Sequence, residues 1–463
     1  MEPMTVRVLL AATDGTLWGV ETDEAQTITN VVIDSRAAQE GDLFVALRGE
    51  RTDGHRYIAA ALEQGAAGCL TEEEPEDPIP GKFFIQVPST MRAIGQVAKA
   101  YRDRFNIPVI GVTGSVGKTT TKDMIASVLG ERFQVLKTDG NFNNELGLPL
   151  TLFRLTSKDE ICVLEMGMNH FGEIDYLTQI VCPDVAVITN IGDAHIENLG
   201  SRENILKAKE EIFTRMTDQG LAVLNGDDPL LRTVEGTIAP RVVYCGSEEA
   251  LTYRADHLQQ LGAEGMECVL HTPRADARVT IPALGRHMIY PVLTACAIGE
   301  HFGLTEQEIA QGIADFVPTE MRMNVVQQGG VTILDDAYNA NPQSMYAALD
   351  VLSHSGGSSR VAVLGDMFEL GSRSAEMHRN VGKYAATIGD IDVVMAVGEF
   401  AQHMAAAAHA AGGPHVCYAK DKEEAKTQLA SLVKPGAVLL VKASRGMEFE
   451  DLVQEIQRLA PED

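Results

Sequence analysis

The chain has 463 residues, too many for one hydrophobic core, and this length predicts about three domains. Its composition, 45% hydrophobic and 22% charged, is typical of a globular protein, and its net charge of −27 argues against nucleic acid or an anionic membrane surface as the main partner. The N-terminus lacks the basic and apolar regions of a signal peptide, and the seven cysteines form no C-x-x-C pair. These features predict a cytoplasmic protein that does not insert into a membrane.

The order of predicted elements indicates an α/β protein of three domains. Residues 1–100 form a small α/β domain with a strand at 43–47 and a helix at 57–62. From 101 to 315, strands alternate with helical stretches, which predicts a parallel sheet wrapped by helices; its strands are at 109–112, 161–164, 185–189 and 221–224. From 316 to 463, strands at 331–334, 361–364, 393–397 and 437–441 predict a Rossmann-like sheet. Pro318 is a plausible hinge between the last two domains.

The most informative segment is a strand, a glycine-rich turn and a helix at residues 109–129. Such a turn directs backbone N–H groups at phosphate oxygens, and the helix N-terminus adds its dipole. The strict P-loop pattern needs its first glycine at Val112, whereas the glycine here is Gly111, one residue earlier. We nevertheless expect an ATP site, with Lys118 on the outer phosphates and Thr119 on Mg²⁺. The predicted ATP-binding residues of this segment are Gly114, Ser115, Val116, Gly117, Lys118, Thr119 and Thr120.

Polar residues follow several predicted strands, where ligands bind in open parallel sheets. Glu165 follows one strand and is a candidate Mg²⁺ ligand. His195 follows the next, and its sequence context alone leaves a structural role and a ligand role equally open. Spacing alone does not distinguish Lys209 from an ordinary surface lysine on a charged helix. In the third domain, the polar loop 335–344 is suited to a ribose or a substrate, and the segment 442–445 to a phosphate or carboxylate.

Several motifs together resemble the Mur ligase family, and most closely its members that add D-alanyl-D-alanine. The resemblance covers nearly the whole chain in the family's order. It rests on DSR at 34–36, GDLFVALRG at 41–49, DGH at 53–55, GVTGSVGKTT at 111–120, GNFNNELGLP at 140–149, EMGMN at 165–169, NIGDAH at 190–195, DAYNANP at 336–342 and LGDMFELG at 364–371.

This resemblance implies a domain for the uridine nucleotide (1–100), a central ATPase domain (101–315) and a C-terminal domain that closes over both (316–463). It implies that ATP phosphorylates the terminal carboxylate of UDP-MurNAc-tripeptide and that the amine of D-Ala-D-Ala then displaces phosphate to form an amide. The enzyme is expected to act as a monomer with ATP and Mg²⁺.

The resemblance also implies roles for individual residues. Lys118, Glu165, His195 and Lys209 are the expected catalytic residues. Thr119 and Glu165 would hold the first Mg²⁺, His195 would help to hold a second, and Lys209 would join them if it is carbamylated. Arg322 and Asp336 would contact phosphate and ribose. The expected substrate-binding residues are Ser35, Arg36, Asn143, Asn144, Asn339, Asn341, Ser444 and Arg445.

One departure from the family pattern concerns the base of the nucleotide. The usual G-x-H-N-x-x-N is here GRHMIYP at 285–291, so Met288 and Pro291 stand where carboxamides are common. The resemblance therefore does not indicate which groups read the adenine.

Three other functions are alternatives to this resemblance. A lysine- or diaminopimelate-adding Mur ligase shares the first motifs but would carry a different loop at 336–342, and a folylpolyglutamate-synthetase-like ligase lacks the first hundred residues. A non-catalytic P-loop regulator leaves Glu165 and His195 without a role.

Because the chemistry needs an assembled, dry site, we expect the C-terminal domain to move about the segment near Pro318 and to lie apart from the ATP domain without ligands.

Overall fold

Three main β-sheets follow one another along the chain. The computed structural model describes residues 1–19, 23–49, 52–75 and 78–461. Each sheet is covered by helices, so the predicted three-domain α/β architecture is confirmed. Among the described residues, none of the helices combines the length and the apolar character needed to cross a bilayer.

The N-terminal sheet is mostly parallel and small. Its region contains β1 (Met4–Thr5), α1 (Val6–Thr13), β2 (Thr16–Trp18), β3 (Thr27–Ile28), β4 (Asn30–Val32), β5 (Asp42–Val45), α2 (Ile58–Gln64), β6 (Gly68–Thr71), β7 (Phe83–Gln86) and α3 (Thr90–Arg102). The strand order is β2-β7-β6-β5-β4, with only β2 antiparallel, while β1 and β3 form a separate pair. The predicted strand and helix correspond to β5 and α2. The expected boundary at 100/101 falls in the last turn of α3.

The central sheet has nine strands. Its elements are β8 (Val109–Thr113), α4 (Lys118–Gly130), β9 (Val135–Lys137), α5 (Gly147–Leu152), β10 (Ile161–Glu165), α6 (Glu173–Val181), β11 (Val185–Ile188), α7 (Ile196–Leu199), α8 (Arg202–Glu210), β12 (Leu221–Asn225), β13 (Arg241–Gly246), β14 (Tyr253–Gln260), β15 (Met266–His271), β16 (Asp276–Ile281), α9 (Ile289–His301) and α10 (Glu306–Ala314). The order is β16-β15-β14-β13-β12-β11-β8-β10-β9. Strands β8 to β14 all run in the same direction. The central ones are buried along their length, as expected for a sheet covered on both faces.

The antiparallel extension β14–β16 goes beyond the predicted parallel sheet. Strand β15 alternates buried and half-buried residues along its whole length, the pattern of a strand with one face on the core. The residues of β15 do not themselves alternate strictly between apolar and polar, because Val269 is apolar at a half-buried position.

The C-terminal sheet has six strands and the predicted Rossmann-like form. Its elements are β17 (Asn324–Gln328), β18 (Val331–Asp335), α11 (Pro342–Ser353), β19 (Ser359–Gly365), α12 (Ser374–Thr387), β20 (Val393–Val397), α13 (Ala401–Ala411), β21 (His415–Ala419), α14 (Lys422–Leu429), β22 (Ala437–Lys442) and α15 (Glu450–Leu459). The order is β17-β18-β22-β19-β20-β21, and only β17 is antiparallel. The four predicted strands correspond to β18, β19, β20 and β22. The expected boundary at 315/316 falls between α10 and β17.

The strand order determines where polar side chains meet. Strands β11, β8 and β10 are neighbours in the central sheet, and all three run in the same direction. Their carboxyl ends therefore lie side by side, which brings the P-loop, Glu165 and Asn190 to one edge of the sheet.

Candidate active site

The turn between β8 and α4 has the geometry of a phosphate-binding loop. Gly114 and Gly117 adopt φ values of +148° and +80°, which L side chains rarely adopt, and Lys118 is the first residue of α4. Asn190 supports the turn from the neighbouring strand end: Ser115 N donates to its carbonyl oxygen (3.1 Å), and Val116 N donates to its Oδ1 (3.1 Å). The residue that follows β11 therefore helps to fix the backbone of the loop.

Lys118 is half-buried at the end of this loop, where α4 begins. Its Nζ donates to Gly114 O (3.0 Å). Burial lowers the pKa of Lys118, the nearby charge of Arg322 lowers it further, and the carboxylates of Glu165 and Glu369 oppose the shift. A cation in this position is matched to anionic oxygens of a phosphate chain.

Glu165 is the buried carboxylate beside the loop, with 2% of its surface exposed. Its Oε2 accepts from Thr119 Oγ1 (2.7 Å), and its Oε1 accepts from Asn143 Nδ2 (2.8 Å). Its backbone N–H donates to Thr138 Oγ1 (3.0 Å), which fixes the strand end. Both carboxylate oxygens face neutral donors, and an adjacent carboxylate and hydroxyl are ligands that Mg²⁺ prefers. The donor set therefore fits a magnesium ion next to the P-loop.

His195 and Lys209 extend this site in two directions. His195 lines a cavity that Lys118 and Glu165 also line, and its Nδ1 lies 2.7 Å from Glu369 Oε2 of the C-terminal domain. Lys209 on α8 is 2% exposed, so it is a buried residue rather than the surface lysine that spacing allowed. Burial, followed by the charge of Lys118, lowers the pKa of Lys209 well below its usual value. The structure thus brings a lysine with a weakened affinity for protons close to the P-loop.

The C-terminal domain contributes a second set of charged groups. Lys442, 2% exposed, donates from Nζ to Asp336 Oδ2 (2.5 Å) and to Asn339 O (2.9 Å). The guanidinium of Arg322 stacks on the Tyr338 ring at 4.2 Å, and its buried Nε has no hydrogen-bond partner among the described residues. Lys442 and Tyr338 were not singled out as site residues by sequence reasoning, although both lie in segments whose polar character pointed to a ligand.

One cavity of about 510 Å³ lies between the central and C-terminal domains. Most of the predicted site residues line it: Ser115, Val116, Gly117, Lys118, Thr119, Thr120, Asn143, Asn144, Glu165, His195, Arg322, Asp336, Asn339, Asn341 and Arg445. A site assembled from two domains can bind two substrates and exclude water between them.

Five predicted residues do not line this cavity. Gly114 belongs to the backbone of the phosphate loop but does not line the cavity. Lys209 is buried, and it lies close enough to Lys118 for their charges to interact. Ser444 is buried, and its hydroxyl accepts from Phe368 N (2.8 Å), so its expected direct contact with substrate is not supported by this geometry. Ser35 and Arg36 lie on a short 3₁₀ helix of the N-terminal domain, where the exposed Arg36 pairs with Asp34 (2.6 Å).

Two predicted substrate-binding amides also shape the backbone. Asn144 Oδ1 accepts from Gly147 N (2.8 Å) at the start of α5, and Asn341 Oδ1 accepts from Ser344 N (2.9 Å) as the N-cap of α11. Their amide oxygens therefore hold helix ends that face the cavity.

Part of the cavity wall is apolar where Met288 and Pro291 replace the carboxamides that are common in the family pattern. Met288 and Pro291 both line the cavity, together with Leu284 and Phe316. Met288 is 3% exposed. This wall offers a base van der Waals contact in place of side-chain amide hydrogen bonds.

The C-terminal and central domains are in contact in this structure, so the expected separation of the two domains is not seen. Thr319 Oγ1, in the segment that joins them, donates to Asp123 Oδ2 on α4 (2.5 Å). His195 and Glu369 meet across the same boundary. The arrangement is the closed one, with Asp336 and Lys118 on the walls of one cavity.

We predict that Gly114→Ala weakens binding of an ATP analogue, whereas Gly130→Ala at the end of α4 does not. A Cβ on Gly114 would lie 1.8 Å from Thr189 Oγ1 in a backbone conformation that costs an L residue about 1–2 kcal/mol. Gly130 meets no atom within 4 Å, so alanine there should leave stability unchanged or raise it by about 0.5–1 kcal/mol. Calorimetric titration with the analogue and urea unfolding measure both effects. Equal affinities for the two variants would contradict the assigned loop geometry.

Comparison with known proteins agrees with this site. Three family models match in order: "Mur ligase family, catalytic domain" over residues 27–102, "Mur ligase middle domain" over 112–299 and "Mur ligase, glutamate ligase domain" over 321–445. A UDP-N-acetylmuramoyl-tripeptide--D-alanyl-D-alanine ligase of Bacillus subtilis is 37% identical over 461 residues, which cover 98% of each chain.

Two solved structures are also similar over most of their length. Crystal structure I of MurF from Acinetobacter baumannii is 32% identical with a TM-score of 0.90, and 99% of each chain is covered. MurF ligase from Thermotoga maritima in complex with ADP is 30% identical with a TM-score of 0.84, and 93% of this chain and 97% of that one are covered. From the family models and the full-length identity, this chain belongs to the Mur ligase family.

Proposed function

We propose that this enzyme uses ATP to join D-alanyl-D-alanine to UDP-N-acetylmuramoyl-tripeptide through an acyl phosphate, in peptidoglycan precursor synthesis. The observation that carries the proposal is the cavity that places Lys118 and Glu165 of the P-loop domain opposite Arg322 and Asp336 of the C-terminal domain. The near-complete coverage of a relative with this activity at 37% identity supports the same substrates.

In the first step, an oxygen of the tripeptide carboxylate attacks the γ-phosphorus of ATP, and the bond from that phosphorus to the bridging oxygen of ADP breaks. Two anions must approach, so positive charge must be present beforehand. Lys118 lies within the phosphate loop, and Arg322 approaches it from the other domain, close enough for their charges to interact. We assign to both the neutralisation of charge on the transferred phosphoryl group.

Thr119 and Glu165 would hold Mg²⁺ beside the nucleotide phosphates, and His195 would contribute to a second site nearer the tripeptide substrate. When bound, Mg²⁺ would add positive charge at the phosphate oxygens and orient them. The hydrogen bond between Thr119 and Glu165 at 2.7 Å already brings the two oxygen ligands together.

In the second step, the amine of D-Ala-D-Ala attacks the acyl phosphate carbon, and the new C–N bond gives a tetrahedral intermediate. As this intermediate collapses, the C–O bond to phosphate breaks and the proton lost by the nitrogen leaves with the phosphate. A closed cavity protects this acyl phosphate from water. Asn143, Asn339 and Arg445 line the cavity and supply polar groups for the two peptide substrates.

The nucleotide would lie along both walls of the cavity. Asp336, held by Lys442, would accept from the ribose, while Tyr338 keeps Arg322 directed at the phosphates. The adenine would pack on the apolar wall that includes Met288 and Pro291. In this division of labour, residues 101–315 bind ATP and 316–463 close over it.

The N-terminal domain, residues 1–100, would bind the uridine nucleotide. Arg36 lies on its surface and is suited to an anionic diphosphate, with Ser35 beside it. Both walls of the cavity come from a single chain, which supports action as a monomer. Because ATP and nucleotide-linked sugars are cytoplasmic metabolites, we place the enzyme in the cytoplasm.

The alternatives are less well supported. A folylpolyglutamate-synthetase-like ligase would not account for the family-model match over residues 27–102. A lysine- or diaminopimelate-adding ligase would not account for the match to a D-alanyl-D-alanine ligase over 98% of both chains.

Mass spectrometry of the product tests the proposal. With UDP-MurNAc-tripeptide, ATP and D-Ala-D-Ala, we expect one product heavier than the tripeptide by the dipeptide minus water, together with ADP and phosphate in equal amounts. Parallel reactions supply lysine or diaminopimelate with UDP-MurNAc-dipeptide, or glutamate with folate. Product in one of these reactions alone would overturn the assignment.

Lys118→Ala is expected to abolish acyl phosphate formation while the protein stays folded. Loss of a preorganised charge of this kind costs about 100–1000-fold in rate. Release of ADP measures turnover, and thermal melting verifies the fold. Turnover within a few-fold of wild type in a folded variant would show that Lys118 is not the phosphate cation.

We also propose that Lys209 is carbamylated and acts as an anion next to the metal sites. Carbamylation needs a neutral amine, and burial together with the charge of Lys118 lowers the pKa of Lys209 in that direction. A carbamate would place a negative charge where an ammonium would repel Lys118 and the metals.

Lys209→Ala should be nearly inactive and partly rescued by formate, which restores a carboxylate in the space left by the side chain. The exposed Lys207, two residues earlier on α8, supplies the control, because Lys207→Ala removes the same charge from the surface and should keep full activity. ADP release with and without formate is the measurement. An active Lys209→Ala variant would leave Lys209 a structural residue.

A further inference from the structure

Glu369 of the C-terminal domain reaches the cavity-lining histidine of the central domain. Its Oε2 lies 2.7 Å from His195 Nδ1. The buried Nδ1 has no partner with hydrogen-bond geometry in the described part of the chain, and the Glu369 carboxylate is the acidic group that lies next to it. Glu369 is therefore a carboxylate that reaches a cavity-lining residue of the central domain from the C-terminal domain.

The backbone around Glu369 is built to present this side chain. Glu369 has φ +61°, a conformation that non-glycine residues rarely adopt and that the surroundings must impose. The two preceding residues are anchored: Met367 N donates to Nε2 of the buried His378 (2.9 Å), and Phe368 N donates to Ser444 Oγ (2.8 Å). The loop is thus fixed within its own domain before it meets His195.

His195 is presented in a similar way. It has φ +61° and lies between β11 and the short helix α7. An imidazole uses one nitrogen as a metal ligand and the other as a hydrogen-bond donor, and the donor's partner selects the tautomer and orients the ring. With Nδ1 facing Glu369, Nε2 is the nitrogen left for a ligand.

We propose that Glu369 is the positioning residue for His195, and that closure of the C-terminal domain completes the second metal site by supplying it. The inference rests on the proposed function, in which His195 helps to hold Mg²⁺. Glu369 would keep the Nδ1–H tautomer and the ring orientation that directs Nε2 to the metal. Domain closure would then favour binding of the second metal, because closure supplies Glu369. The bound metal would in turn favour the closed arrangement.

A simple surface ion pair would not have this consequence. The Glu369 side chain is 57% exposed, and ion pairs between exposed side chains contribute too little stability to hold two domains together. Loss of the carboxylate next to a metal-binding histidine, by contrast, lowers metal affinity by about 10–100-fold. The two roles therefore predict different measurements.

Mn²⁺ binding measured by electron paramagnetic resonance tests the proposal on the full-length enzyme with a non-hydrolysable ATP analogue and UDP-MurNAc-tripeptide. We expect two bound ions in wild type. Glu369→Ala should weaken the second by about 10–100-fold and leave the first unchanged. Glu369→Gln should lose less, because its carbonyl oxygen still accepts from Nδ1–H, and it keeps the side-chain shape if the alanine variant does not fold.

Two further variants separate the outcomes. Glu376→Gln removes a charge from a side chain of the same domain with 56% exposure and should bind both ions as wild type does. His195→Ala should lose the second ion. If His195→Ala binds both ions normally, the metal role in the proposed function is wrong. If His195→Ala loses the ion while both Glu369 variants keep wild-type affinity, only the positioning role is overturned. Equal loss of both ions and of the nucleotide in Glu369→Ala would likewise overturn it, in favour of a structural latch.

Discussion

The buried carboxylate of Glu165 ties together the pieces of chain that form the phosphate site. Glu165 is the last residue of β10. It accepts hydrogen bonds from Thr119 on α4 and from Asn143 on the loop before α5. A buried carboxylate is costly unless its oxygens are paired, so this arrangement constrains the helix, the loop and the strand at once. The same oxygens are those that a magnesium ion would take. The groups that satisfy Glu165 in the folded chain thus prepare the site for its ligands.

Local charge at this site opposes the charge of the chain as a whole. A net charge of −27 repels ATP and a carboxylate substrate at long range. The cavity compensates with buried or half-buried cations from both domains, Lys118 from one and Arg322 and Lys442 from the other. Such groups act in a region that excludes water, where each interaction is stronger than at the surface. Binding by this enzyme therefore depends on short-range contacts and on the two domains being together.

The connection between the domains is itself tied to the P-loop helix. Asp123 on α4 forms an ion pair with Lys122 (3.1 Å) and accepts hydrogen bonds from Lys137 (2.6 Å) and from Thr319 of the connecting segment (2.5 Å). Arg322 follows Thr319 by three residues and lines the nucleotide cavity. The connecting segment thus starts from a fixed point on the helix that carries the phosphate loop, which limits the positions from which Arg322 can approach the phosphates.

The sequence by itself determined the local features: the strand–turn–helix of the P-loop, the positions of most parallel strands along the chain and the polar residues that follow them, including Glu165. These follow from residue periodicity and glycine conformations over a few residues. The tertiary structure alone decided the burial of Lys209, the pairing of His195 with Glu369 and of Asp336 with Lys442, the antiparallel extension of the central sheet and the closed domain arrangement. Burial depends on what a helix packs against, and these pairs join residues more than 100 positions apart. No local pattern encodes such contacts, because they exist only once sheets and domains have packed together.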